Sequence, residues 1–415
     1  MNNKRITIVG CGRQSQAMVY DLCRFGGDLF DTVVLCDRDA KQIDRLVRHV
    51  SAELKKSGVK SPKSVKKVLD ASNKAAVKKA AAGSRLILSA SHYALNPSLA
   101  EVAITLGAHF GDLGGYLDST VKIKKLDAKA RVKGVYLVPD LGLAPGMANI
   151  LGAWGLRNME PCESITLYCG GLPQQPVGPL SYKIVFSLEG VWGTHLGKTV
   201  VLKDGQPAEV ENLGDLEIVE SEKLGKLEAF NTGGALATAP WALKGRVRDY
   251  TYKTLRYPGY VAKMKFLQEL GLLDFKERLV NGVKVAPIKV VGEVLKEKLA
   301  FPNVGDLVIL IVEVKGKDKA TGETKLVRFE MLDLKDTVTG FSAMERTTGF
   351  SASICAQMLL RGQGIDTRGK KGGFLLPEDT FDTDVFIAES EKRDIKITRR
   401  TYICQPANLL ASQTA

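Results

Sequence analysis

The chain has 415 residues, 45% hydrophobic and 25% charged, with a formal net charge of +13 at pH 7. That length exceeds what one core usually fills, so two domains are expected, and the composition is that of a globular rather than a disordered or fibrous chain. No run of about eighteen apolar residues occurs, which argues against a membrane partner through a spanning helix. The lysines, dense over residues 55–79, lack interleaved stacking aromatics, which argues against nucleic acid.

Residues 5–9 form a β-branched run close to the start, so the chain enters a strand at once and leaves no room for a signal peptide. Gly10-Cys11-Gly12-Arg13-Gln14-Ser15 follows. A helical pattern over 17–25 then puts Met18, Leu22 and Phe25 on one face, and a strand over 32–36 ends in Asp37. Strand, Gly-x-Gly turn, helix, strand and acidic residue is the order a dinucleotide site requires. Gly10 permits the tight turn, and Gly12 lets the backbone approach a pyrophosphate, with Arg13 and Gln14 at the helix start. Asp37 is spaced to accept from the ribose hydroxyls. The third small position is Ser15 rather than Gly or Ala, which predicts slightly looser helix–strand packing. Asp37 favours NAD, since a carboxylate repels a ribose 2′-phosphate, and Arg38 beside it opposes that preference. The expected cofactor is NAD or NADP, with NAD favoured.

The pattern continues with a helix over 40–54, a strand around 65–69, a helix over 75–82 and a buried strand over 85–90. That strand runs through Ala90 into Ser91-His92-Tyr93. A helix over 99–106 and a strand over 108–111 lead to Asp112-Leu113-Gly114-Gly115. Such alternation predicts a doubly wound parallel sheet of Rossmann type over residues 1–140. Ligands on these sheets bind beyond the carboxyl ends of the strands. Ala90, Ser91 and His92, with Asp112, Gly114 and Gly115, therefore fall on the cofactor rim. The stretch 139–156, PDLGLAPGMANILGAWGL, bends from a strand end into an apolar helix beginning at Met147. A bend of this kind exposes backbone N–H groups at a helix N-terminus, a natural place for an anion.

Beyond about residue 150 the rhythm changes. A strand over 164–169 ends in Gly170-Gly171-Leu172-Pro173, and 182–187 follows, leading to Leu188-Glu189-Gly190. Segments at 199–202, 247–255, 284–289, 307–315 and 326–332 read as strands. Together they predict an inserted α+β domain over 141–347, built on a mostly antiparallel sheet with helices over 261–270 and 290–299 on one face. A helical pattern over 350–361 is expected to carry the segment 348–415 back onto the first domain. The seven cysteines are scattered and form no CxxC pair, so free thiols, a reducing cytoplasmic compartment and no metal site are expected.

Several phrases match one family together: GLAPGMAN, CGGLPQQP, YKIVFSLEG, LEAF followed by NTGG, YKTLRYPG and RTTGFSASICAQML. In this order they resemble the saccharopine dehydrogenase-like family, and within it the L-lysine 6-dehydrogenases. The resemblance implies NAD(P)-dependent oxidative deamination of an amino acid, and a homodimer or higher homo-oligomer built through the inserted domain. It also implies departures from the saccharopine reductases, which carry Asp-Pro-Gly at Ala144-Pro145-Gly146 and an arginine at Glu189. Glu189 suits an amine, which points away from saccharopine and toward lysine or another diamine-like compound.

A protonated amine cannot assist hydride departure, so the site must take a proton from a group of pKa about 10.4. Tyr93 and Asp112 are the first candidates for that role, with Lys183, His92 and Asp140 in reserve. Each has a plain structural alternative: Asp112 as a cap on the Gly114-Gly115 backbone, Lys183 as an ion-pair partner of Glu189. Arg256, in TLRYPG, is expected to hold the substrate carboxylate bidentately, unless it forms an internal Arg–Glu pair. Asn149 bonds either the substrate or the turn backbone. Pro145, Gly146 and Gly171 complete the expected substrate contacts. The competing readings are reductive condensation, as in saccharopine- or carboxynorspermidine-type members, and a non-catalytic dinucleotide-binding scaffold.

Overall fold

The computed structural model describes residues 4–404. The first domain runs β1 (Arg5–Val9), α1 (Arg13–Phe25), β2 (Thr32–Asp37), α2 (Ala40–Lys56), β3 (Lys63–Val68), α3 (Lys74–Ala80), β4 (Leu86–Ser89), α4 (Asn96–Leu106), β5 (His109–Asp112), α5 (Leu117–Lys124), α6 (Asp127–Lys133) and β6 (Tyr136–Val138). The second begins with α7 (Met147–Asn158), β7 (Met159–Pro173), α8 (Leu188–His195), β8 (Lys198–Lys203), β9 (Gln206–Glu211), β10 (Glu217–Ser221), β11 (Gly225–Asn231), α9 (Ala239–Ala242) and β12 (Asp249–Arg256). It continues with α10 (Tyr260–Glu269), β13 (Arg278–Val280), β14 (Val283–Val285), α11 (Pro287–Lys298), β15 (Asp306–Asp318) and β16 (Thr324–Leu334). The chain then forms α12 (Ala343–Arg361), β17 (Gly373–Phe374), α13 (Pro377–Thr380), α14 (Thr383–Glu391) and β18 (Ile397–Ile403).

The first sheet is parallel, in the order β17-β6-β5-β4-β1-β2-β3. Its apolar central strands, among them Ile6, Ile8, Val34, Leu35 and Leu88, are buried because helices cover both faces. Strand order reverses between β1 and β4, which opens a crevice at their carboxyl ends. The second sheet has nine strands and is antiparallel except where β12 runs parallel to β7. Its long central strand alternates: Val308, Leu310 and Val312 join the core shared with α7 and α12, and Leu307, Ile309 and Ile311 fill the core on the other side.

The two domains are tied by α12, which lies against α1. A Cβ on Gly349 would stand 2.6 Å from the Met18 nitrogen, so only glycine permits this approach. Ser15 does not loosen that region. It is buried, and its hydroxyl donates to the Gly12 carbonyl at 2.7 Å.

Three expectations are corrected. The strand predicted over 284–289 stops at Val285, because Pro287 opens α11 at its first turn. Residues 182–187 belong to no strand, and Ser187 caps α8 by accepting from the Gly190 N–H. Two strands absent from the sequence expectation, β9 and β10, pair with β8 and β11. The segment from 348 onward is divided: α12 and β17 join the first domain, whereas β18 pairs with β16 of the second sheet. Residues 405–415 of that segment lie outside the described residues. All seven cysteines are free. No helix among the described residues is long and apolar enough to cross a membrane.

Candidate active site at the domain seam

The crevice between β1 and β4 is shaped by Gly10, whose φ is 94°. A Cβ there would meet the Ala90 carbonyl and the Ser91 nitrogen at 2.7 Å. Gly12 faces open space, so a pyrophosphate can approach the first turn of α1. Asp37 closes the loop, accepting from the Cys11 N–H at 2.7 Å and the Asp39 N–H at 2.9 Å. Those bonds fix its carboxylate beside the position a ribose would take. Arg13 and Arg38 are exposed, Gln14 half-buried. The residues present fit a dinucleotide.

The rim beyond β4 and β5 carries an aromatic stack. His92 lies 4.0 Å from Tyr93, and Tyr93 lies 4.5 Å from Tyr116, centroid to centroid. His92 is exposed and its Nδ1 accepts from the Ala94 N–H, which starts a short 3₁₀ turn at Tyr93. Ser91 bonds Ser89, whose hydroxyl donates to Asn96. Asp112 is buried beneath this rim. Its Oδ1 accepts from the Gly114 N–H at 2.8 Å and the Asp140 N–H at 3.1 Å, so it braces the Gly114-Gly115 turn. Burial pushes its pKa up to about 6, and the two N–H bonds hold it back in part.

The seam turn differs from the anion cradle expected of it. Met147 N–H donates to Gly142 O, Ala148 N–H to Leu143 O, and Gly146 N–H to Asn149 Oδ1. The first turn of α7 is buried and its donors are used within the turn. Asn149 Nδ2 reaches Glu378 Oε1 at 2.9 Å and Tyr250 Oη at 3.0 Å, so Asn149 holds the turn together. Asp140 is buried with φ 65°, and its Oδ2 accepts from Thr120. Gly146 is pressed against Gly142, and Gly171 lies in the core under Met344 and Val185, so neither presents a surface to a substrate.

Lys183 and Glu189 do not pair. Lys183 is half-buried and donates to the Val304 carbonyl at 2.6 Å. Desolvation lowers its pKa, with Lys335 and Arg13 adding to the effect against Asp306. It therefore belongs near the Arg13 end of the crevice. The Glu189 side chain is 72% exposed in the first turn of α8, 3.6 Å from Lys296. An exposed carboxylate with a lysine neighbour is not a buried amine contact.

Arg256 is the best-defined candidate in the second domain. It is 3% exposed, stacked over Tyr182 at 4.6 Å and Tyr260 at 5.4 Å. Glu228, its partner in sheet register, is used elsewhere: its oxygens accept from the Gly259 and Val261 N–H groups at the start of α10. Among the described residues Arg256 makes no ion pair; its Nη1 donates to the Leu255 carbonyl at 2.8 Å, and its Nε, Tyr182 Oη and His195 Nε2 have no hydrogen-bond partner. Burial and the nearby guanidinium depress His195 to about 3, so the ring is neutral. Contacts connect this cluster to the rim. His195 packs on Tyr260, the Gly233 N–H donates to Thr194 O, and Gly234 lies against the Gly115 carbonyl.

Sequence reasoning passed over Tyr182, His195, Tyr250, Thr238 and Glu378. Tyr182 opens the phrase YKIVFSLEG already singled out, and His195 ends the helix α8 that this phrase enters. Glu378 had no signal, because it lies more than 200 residues from its partner Asn149.

The profile of the Saccharopine dehydrogenase NADP binding domain matches residues 6–138, and that of the Saccharopine dehydrogenase C-terminal domain matches residues 142–395. The division falls in the seam. The chain is 23% identical over 366 residues to the mitochondrial alpha-aminoadipic semialdehyde synthase of Bos taurus, covering 70% of this chain and 38% of that protein. It thus spans about two fifths of that relative's length. Apo saccharopine dehydrogenase (L-Glu forming) from Saccharomyces cerevisiae shares the fold with a TM-score of 0.75 at 19% identity, covering 96% of this chain and 100% of that one. The homospermidine synthase of Legionella pneumophila, solved in complex with NAD, follows at 0.64 and 11% identity, covering 99% and 94%. With the NADP-binding domain profile on one side of the seam and the C-terminal domain profile on the other, this chain belongs to the saccharopine dehydrogenase family.

Proposed function

We propose that this family member catalyses NAD(P)-dependent oxidative deamination of an amino acid, with the side-chain amine of L-lysine as the first substrate to offer. The observation that carries the reading is Arg256. A buried guanidinium without a counter-ion costs several kcal/mol, and a substrate carboxylate arriving from the Gly115 side would supply one. A bound nicotinamide would take the hydride from the amine-bearing carbon. The chain's part is to hold the carboxylate on Arg256, to set the amine against Tyr93 on the rim, and to accept the proton the amine gives up. Water then adds to the iminium, and ammonia leaves.

Reductive condensation, joining an amine to a carbonyl, is the second reading. Glu189 in solvent favours it, because that carboxylate, beside Lys296, does not wait in the site for a free terminal amine. A homo-oligomer is carried forward as part of the proposal, to be read by sedimentation.

The test is absorbance of reduced nicotinamide at mildly alkaline pH, offering lysine, ornithine, saccharopine and diamines with NAD and with NADP. Lysine-dependent reduction supports the proposal. Silence with every amine, in a protein that binds cofactor, sinks it and sends the search to keto acids with amines. In an active enzyme Arg256→Lys should raise KM for the substrate roughly 100-fold, equivalent to about 2–3 kcal/mol for a charge-assisted contact, and leave cofactor affinity unchanged.

A further inference from the structure

Behind the rim, where α7, the loop before α9 and α13 meet, lies a small cavity lined by Asp140, Pro145, Asn149, Thr238 and Glu378 among others. The space open to the centre of a water molecule is about 10 Å³, room for one water. Two of its walls carry unused polar atoms. Asp140 Oδ1 and Thr238 Oγ1, on residues each 3% exposed, have no hydrogen-bond partner among the described residues. Glu378, 4% exposed, forms a third wall, its Oε1 accepting from Asn149 and from Tyr250 at 3.3 Å. On the rim side, Asp140 is joined to Asp112 by its own N–H.

Among the described residues no cation pairs with this group. The charged and titratable neighbours are Asp112 on β5, Tyr250 on β12, Arg157 on α7, and Asp379 on α13. Arg157 donates to the Glu378 and Phe381 carbonyls, and Asp379 is paired with Arg246 and Arg368. Three carboxyls at this depth without a counter-ion cannot all be ionised, so at least one keeps its proton at neutral pH. Among these residues the polar partners are neutral: Thr120 bonds Asp140, and Asn149 and Tyr250 bond Glu378.

We propose that this cavity is a proton site. One water bridges Asp140, Thr238 and Glu378, and the carboxyls of Asp140 and Glu378 share a proton through it, with Asp112 outside the cavity on the rim side. Resting on the amine-oxidation reading, the site takes up the proton released by the substrate amine. An N–H bond breaks at the substrate and an O–H bond forms on a carboxylate, with the electron pair left on the amine nitrogen. Asp140 is the end toward the rim and Glu378 the deep end. Glu378 acts through the others and is a positioning residue.

Infrared spectroscopy of the full-length protein without substrate, in water and in heavy water, tests it. A protonated-carboxyl C=O stretch is expected at neutral pH and should be lost or shifted in Glu378→Gln. Its absence in the wild type, or its persistence unchanged in both Glu378→Gln and Asp140→Asn, overturns the proposal. Thr238→Val keeps the volume and removes one ligand of the water, which covers the case in which Glu378→Gln does not fold. In an active enzyme it should move the acid limb of kcat/KM by about one pH unit, a tenfold change in proton affinity, with cofactor affinity unchanged. An unmoved limb counts against the bridge. The infrared measurement needs no turnover, so silence in the amine assay leaves it standing. A missing carboxyl band overturns the proton site without touching the amine assay.

Discussion

Asp112 shows how one buried side chain can serve both shape and chemistry. Its Oδ1 receives two backbone N–H groups and so sets the Gly114-Gly115 turn at the rim. The same burial moves its pKa from 3.8 to about 6. A carboxyl whose folded value lies above its unfolded one adds stability that is full below about pH 3.8 and lost as pH rises through about 6. Asp112→Asn keeps an oxygen for both N–H groups and removes the titration. Its urea midpoint should therefore change less than the wild type's between pH 4 and 7, and parallel curves would remove Asp112 as a titrating group in that window. Arg256 and Glu189 make the opposite pair. The first is buried with its Nε free of any partner and no counter-ion among the described residues, as a ligand-binding charge would be, and the second lies in solvent beside Lys296.

At the level of elements, the joint between the domains is α12 lying on α1, secured by a buried ion pair. Arg393, in the turn after α14, donates to Asp21 of α1 at 2.7 Å, and both side chains are fully buried. The second Asp21 oxygen accepts from Ser353 and Gln357 of α12, and the guanidinium lies 4.2 Å from the Phe25 ring. Desolvation raises the Asp21 pKa, and Arg393 opposes that rise. Removing the cation leaves a buried carboxyl without its partner. Arg393→Met should cost about 3–5 kcal/mol in urea unfolding, and adding Asp21→Asn should recover part of the loss. Equal stability of Arg393→Met and wild type would show that the pair does not secure the joint.

On the scale of the molecule, the crevice of the first sheet and the Arg256 cluster of the second are brought together by contacts at one line, Gly115 against Gly234. Cofactor and substrate would therefore meet across a boundary between domains. A dinucleotide that binds only the folded form should raise the melting temperature, equivalent to about 2.7 kcal/mol at a hundredfold excess over Kd. Asp37 predicts a larger rise with NAD than with NADP at equal concentration. A larger rise with NADP would assign the 2′-phosphate to Arg38 or its neighbours. Asp37→Asn should narrow the difference.

What the sequence determined by itself is whatever depends on neighbours along the chain. The strand, Gly-x-Gly turn, helix and Asp37 lie within about forty residues, and periodicity and turn chemistry are local properties. The doubly wound sheet, the switch to a second sheet and the helices from Tyr260 and Pro287 were all legible for that reason. The tertiary structure decided whatever depends on partners far away. The donors of the seam turn are used internally, Glu378 meets Asn149, Glu228 caps α10 instead of pairing with Arg256, and Glu189 faces solvent. Burial and partner choice set the charge state of a side chain, and neither is written in its immediate sequence. The cofactor end of the site could therefore be read from the chain, whereas the substrate end required the fold.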